Sequence, residues 1–136
     1  MRNEQVRPVV FISAENEKYD SEWNGVLTRR LGEELKELFP TKEVTGCYKG
    51  TVETSYMVGV RQKDIATLLD IAERYEQESI LFRDANKDCQ LLFVRGQGER
   101  LGQMVKVDES VAKELENYTY DDETGDYYAI MPRGAK

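Results

Sequence analysis

The chain has 136 residues, enough for one domain with a single core and too few for two. Apolar residues make up 40% and charged residues 33%, a globular balance rather than a disordered one. Histidine is absent and the only cysteines are Cys47 and Cys89, which removes His-assisted nucleophiles, His metal ligands, His pH switching and a tetrahedral zinc site.

The first residues, Met1 to Gln5, are charged and lead into a short apolar run with neither the length nor the cleavage site of a signal peptide. The longest apolar stretches are Val9 to Ile12, Ile80 to Phe82 and Leu91 to Val94. All fall far short of the ~20 residues of a membrane-spanning helix. A cytoplasmic protein with two reduced thiols is expected; a disulfide would need neighbouring strands and an oxidising compartment.

Val6 to Ala14 is β-branched and aromatic and reads as a strand, with Pro8 near its start. The polar segment Asn16 to Ser21 supplies N-cap candidates. Trp23, Val26, Leu27, Leu31, Leu35, Leu38 and Phe39 then recur at helical spacing until Pro40, predicting a helix from Ser21 to Phe39. Thr41 to Lys49 and Thr51 to Val60 read as strands joined at Lys49-Gly50. The second sets Val52, Thr54, Tyr56 and Val58 on one face and Glu53, Ser55 and Met57 on the other.

A second helix follows Asp64, with Ile65, Leu68, Leu69, Ala72 and Tyr75 as its buried stripe. Ser79 to Arg83 and Gln90 to Arg95 form a hairpin, and Leu101 to Val107 a further strand. Asp108 is placed to cap a short helix with Val111, Ala112 and Leu115 inward. Tyr118 to Tyr120 and Asp126 to Ile130 look like a closing hairpin. This order predicts one domain over 1–136 of the α+β class: a mostly antiparallel sheet with two main helices on one face and an acidic C-terminal helix–hairpin element.

Several chemistries can be weighed from the residues. Gly96-Gln97-Gly98-Glu99-Arg100-Leu101-Gly102 has its third glycine one residue late for a dinucleotide fingerprint and runs into a strand, so it reads as a turn. Glu53 and Ser55 share a strand face, and Glu76-Gln77-Glu78-Ser79 leads into another strand. A glycosidase-like acid/base pair there would need two carboxylates ~5–9 Å apart. Eight tyrosines, four phenylalanines and Trp23 offer stacking surfaces, but a net charge of −7 opposes nucleic acid. Arg29-Arg30 reads as a solvated helix face.

That charge is localised. Residues 108 to 126 carry Asp108, Glu109, Glu114, Glu116, Asp121, Asp122, Glu123 and Asp126 against Lys113 alone, eight minus one, while residues outside balance to zero. A nearly neutral body (1–107, 16 bases against 18 acids) thus bears an acidic element (108–136, three bases against eight acids). Glu114, Glu116, Tyr118, Tyr120, Asp121, Asp122, Glu123, Asp126, Tyr127 and Tyr128 form a candidate docking face for a basic protein surface, such as that of a nucleic-acid-binding enzyme. A solubilising acidic hairpin is the plainer reading. The loop from Asp121 lacks the EF-hand glutamate, since its twelfth residue is Pro132. No metal, cofactor or membrane is implied.

From Phe11 to Val94 the chain resembles a family of small bacterial and phage proteins catalogued as domain of unknown function 3293. The resemblance rests on Phe11-Ile12-Ser13-Ala14-x-Asn16, on Asn24 with Leu27 and Leu31, on Gly46-x-Tyr48-x-Gly50-x-x-Glu53-x-Ser55-Tyr56, and on Gln77 ahead of Ser79-Ile80. It carries no assigned activity, but it implies that Asn24, Glu53, Ser55 and Gln77 line a shared pocket. Two expectations follow. The first is a non-enzymatic interaction protein, in a phage setting an inhibitor of a host defence enzyme. The second is a binder of a nucleotide or metabolite through those four residues.

Overall fold

The computed structural model describes residues 6–132; Met1 to Gln5 and the end of the acidic element, 133–136, lie outside the described residues. The strands are β1 (Val9–Ile12), β2 (Thr41–Tyr48), β3 (Thr51–Gly59), β4 (Ser79–Arg83), β5 (Asp88–Phe93), β6 (Glu99–Val107), β7 (Tyr118–Asp121) and β8 (Asp126–Met131). The helices are α1 (Ser21–Leu38), α2 (Ile65–Arg74) and α3 (Glu109–Leu115).

The strands close into an antiparallel barrel in the order β1-β3-β2-β7-β8-β6-β5-β4, with β4 pairing back to β1. This corrects the expected α+β class: the antiparallel sheet closes on itself and makes up most of the structure. Two seams make the difference: β1 pairs with β4 through Phe11↔Leu81, and β2 pairs with β7 through Gly46↔Thr119. Both join strands distant in sequence, so local hairpin patterns do not reveal them. Closure removes the exposed edges that an open sheet would leave.

Side-chain alternation sorts the residues into two cores. Val9, Phe11, Val44, Cys89 and Met104, with Met57, Leu81, Tyr128 and Ile130, come from seven of the eight strands and fill the barrel interior. Val10, Ile12, Tyr56, Val58, Ile80 and Phe82 face outward beneath α1 and α2, against Leu31, Leu35, Leu68, Ile71 and Ala72. All four residues of β1 are therefore buried, which explains its unbroken apolar run. Each large aliphatic side chain in these cores contributes about 1.5–3 kcal/mol.

Local chemistry sets the element boundaries. Asp20 caps α1, its carboxylate accepting from the Trp23 amide at 2.8 Å. The chain turns out of helix at Phe39, ahead of Pro40. Lys49 (φ 51°) and Gly50 (φ 82°) give the β2–β3 turn its two left-handed residues. Asp108 occupies the N-cap position of α3 without a side-chain cap bond, and of the three residues expected inward only Ala112 is buried. The helix is too short to bury a full stripe.

Candidate functional site

At one end of the barrel the β1–β3 ladder stops at Ile12↔Tyr56. Two side chains take over from the missing main-chain partner. The Ser13 hydroxyl donates to the Thr54 carbonyl at 3.1 Å, and the Thr54 amide donates to the Glu15 carboxylate at 2.6 Å. The chain thus leaves the sheet at Ser13 while Thr54 keeps both of its hydrogen bonds on that side.

Neighbouring Thr54 on β3, Glu53 and Ser55 point to the opposite face, toward the mouth of the barrel. Across the strand Glu53 meets Gly46 of β2. A Cβ at Gly46 would come within 3.1 Å of the Ser55 Oγ, so the glycine keeps space open beside Glu53 and Ser55. Burial pushes the Glu53 carboxyl above its ordinary range, the Glu15 charge pushes it further, and the Ser13 hydroxyl only partly offsets them. A partly buried carboxyl close to a second carboxylate makes Glu53 a candidate site residue.

On the outer side of β3, α1 and the sheet enclose a cleft of about 390 Å³ whose lining includes Glu15, Asn24, Thr28, Glu43, Thr54 and Tyr56. Glu15 belongs to both places: it lines this cleft, and its charge acts on Glu53. Tyr56 forms the floor, with its hydroxyl donating to the Thr28 carbonyl at 2.9 Å.

Asn24 and Gln77 play a different geometric part from Glu53 and Ser55. The Asn24 carbonyl accepts from the Asn16 amide at 2.9 Å, and its NH2 group donates to the carbonyls of Asn16 and Tyr19 at 3.0 and 3.2 Å. Gln77 donates to the Glu15 carbonyl at 3.0 Å. Glu76 adds contacts with Lys18 and the Tyr19 hydroxyl. These residues fasten the segment 15–19 from two sides. Of the four residues read from the sequence, Glu53 and Ser55 stand at the barrel mouth, while Asn24 and Gln77 clamp the loop that carries Glu15. Sequence reasoning named Ser13 only as part of a motif, not as a site residue, and passed over Glu15; their signal was a hydroxyl and a carboxylate at the strand end, just ahead of Asn16.

The acidic element is split by the barrel. Asp121 is buried and accepts from Lys42 at 2.6 Å, and Asp126 pairs with Lys106 at 3.2 Å. Tyr128 packs into the interior. Tyr118, Tyr120 and Tyr127 cluster together, with ring centroids 5.5 and 4.5 Å from Tyr127 to its two neighbours, and Lys113 lies over Tyr118 and Tyr127. Glu114, Glu116, Asp122 and Glu123 remain exposed. The stretch is therefore not one continuous docking face: alternation along β7 and β8 turns part of it toward lysines that sequence distance had kept apart from it.

The strands form a closed antiparallel β-barrel, with the partly buried Glu53 carboxyl on β3. A family model for the S-adenosylmethionine lyase family matches residues 10–131, and the chain belongs to that family. No protein of curated function matches it in sequence comparison. The match overturns the resemblance to domain of unknown function 3293, whose short motifs lie within the matched span. It also overturns the expectation of a non-enzymatic phage-type inhibitor of a defence enzyme, because the family is one of enzymes. A nucleotide- or metabolite-binding role without turnover gains no support from it either.

Proposed function

We propose that the chain is a lyase acting on S-adenosylmethionine, with Glu53 facing the reacting sulfonium at the barrel mouth. The observation that carries this reading is the family match over residues 10–131. The desolvated carboxylate beside Glu15 fits the chemistry such a reaction needs.

In S-adenosylmethionine the sulfur bears three carbons and a positive charge. A lyase breaks one carbon–sulfur bond without water. The bonding pair goes to sulfur, which leaves as a neutral thioether, and the carbon it leaves is satisfied within the substrate, by closure onto one of its own oxygens or by loss of a neighbouring proton. The positive charge on sulfur disperses as the bond breaks. A site that excludes water favours that dispersal, since bulk solvent stabilises the concentrated charge of the substrate more than the spread charge of the transition state. Ionised Glu53 holds the sulfonium and fixes its orientation, and Ser13 and Ser55 supply hydroxyls beside it.

The test is to incubate the purified chain with S-adenosylmethionine and no methyl acceptor, following the products by chromatography and mass detection. Loss of substrate above the protein-free rate, with a neutral adenosine thioether appearing, is the expected result. Glu53→Gln should lower that rate by about 100-fold or more. Substrate consumed no faster than in buffer would overturn the reading.

A further inference from the structure

We infer that Glu15 is the positioning residue of this site: it holds the Glu53-bearing stretch of β3 through Thr54 and sets a second carboxylate beside Glu53. Its catalytic meaning rests on the lyase reading; its structural content does not.

The geometry is specific. Where β1 leaves the sheet, Thr54 would lose both main-chain partners on that side. Glu15 supplies the acceptor for its amide at 2.6 Å, and Ser13 supplies the donor for its carbonyl at 3.1 Å. Glu15 is itself held. Its amide donates to the Ser13 Oγ at 3.1 Å, and its carbonyl accepts from Gln77 at 3.0 Å. The next residue, Asn16, is gripped by Asn24 at both its amide and its carbonyl. Four anchoring contacts from three residues, Ser13, Gln77 and Asn24, hold this stretch of chain. These contacts fix the position of a charge.

That charge acts on Glu53, whose proton affinity is raised by burial first and by Glu15 second. The other neighbours cannot substitute for it. From the segment just past β1 comes Ser13, uncharged. From β2 the residue opposite is Gly46, and beyond it on β7 is Thr119. Farther along the same cross-strand row, Thr119 faces Tyr128 of β8 and Tyr128 faces Lys106 of β6, the latter paired with Asp126. Removing the Glu15 charge therefore leaves burial as the one remaining upward influence on Glu53.

Two variants separate the roles. Glu15→Gln keeps an oxygen for the Thr54 amide but removes the charge; Glu15→Ala removes both. The readouts are carboxyl NMR titration of Glu53 and hydrogen exchange at the Thr54 amide on the substrate-free protein, together with the pH profile of S-adenosylmethionine cleavage. In Glu15→Gln, Glu53 should titrate at lower pH and the acidic limb of the profile should move the same way, with Thr54 still protected. In Glu15→Ala the Thr54 amide should exchange about tenfold faster or more. An unshifted Glu53 titration in Glu15→Gln, or unchanged Thr54 protection in a folded Glu15→Ala, overturns the inference. If Glu15→Ala does not fold, the Glu15→Gln titration decides alone. Shifted NMR readouts in a protein that leaves S-adenosylmethionine intact would sink the lyase reading while the coupling of Glu15 to Glu53 stands.

Discussion

Lys42 and Asp121 meet 2.6 Å apart inside the barrel wall, joining the start of β2 to the end of β7. Asp121 also accepts from the amides of Glu123 and Thr124 at 3.0 and 3.4 Å. Burial raises the Asp121 carboxyl, but these bonds outweigh it and hold the group below its ordinary range. The Lys42 ammonium is held above its own, chiefly by the bond to Asp121. A depressed acid contributes stability above its unfolded pKa that is lost as pH falls through the folded value. Asp121→Asn should therefore cost about 1–3 kcal/mol at neutral pH and progressively less in acid, read from denaturant midpoints between pH 7 and pH 2.

Glu53 has the opposite sign. Its folded pKa lies above its unfolded one, so its contribution to stability is fully present below the unfolded value and lost as pH rises through the folded value. Glu53→Gln should leave the protein at least as stable as the parent at pH 7.5, with the advantage shrinking toward pH 4. Thermal melts at the two pH values check this. A variant that loses turnover while gaining stability at neutral pH is what a functional carboxylate, as opposed to a structural one, produces.

Gly32 lies on α1 where the helix crosses β3. A Cβ there would sit 2.5 Å from the Tyr56 Oη and 2.7 Å from its Cζ. The Tyr56 ring is buried and its hydroxyl is bonded to Thr28, so it cannot swing away without breaking that bond. Gly32→Ala gains up to about 1 kcal/mol of helix propensity but should still destabilise by about 1–3 kcal/mol from overpacking, measured as a lowered denaturant midpoint.

The two thiols should differ in reactivity. Cys89 points into the interior and burial pushes it up to about 12, which leaves almost no thiolate at neutral pH. Cys47 is half-buried on the outer face and donates weakly to the Glu116 carbonyl at 3.5 Å. A thiol reagent at pH 8 should modify Cys47 alone in the folded protein and both residues after denaturation, as counted by mass spectrometry.

Much of the local structure was legible. The helical spacing from Trp23 to Leu38, the Lys49-Gly50 turn and the alternation through Glu53, Ser55 and Met57 each reflect a chemical preference of nearby residues, and each recurs in the structure. What was hidden depends on partners far away in sequence. The pairing of Gly46 with Thr119 cannot be read from either strand, and without it the barrel looks like an open sheet. Asp121 and Asp126 counted as surface charge because Lys42 and Lys106 are remote in the chain. At the site, Glu53 stood out through its strand face, whereas Glu15 did not, since its role comes from a ladder that ends early.

The β2–β7 seam also bears on how the molecule is made. Residues 13–55, which hold Ser13, Glu15, Glu53 and Ser55, are synthesised before residues 118–121, so β2 stays a bare sheet edge until β7 has been made. Until then the nascent protein carries an unpaired edge of the kind that recruits other strands. Its slowest folding event should be the long-range docking of β7, not the formation of any hairpin. The wall beside Glu53 is thus finished by a strand translated well after Glu53 itself.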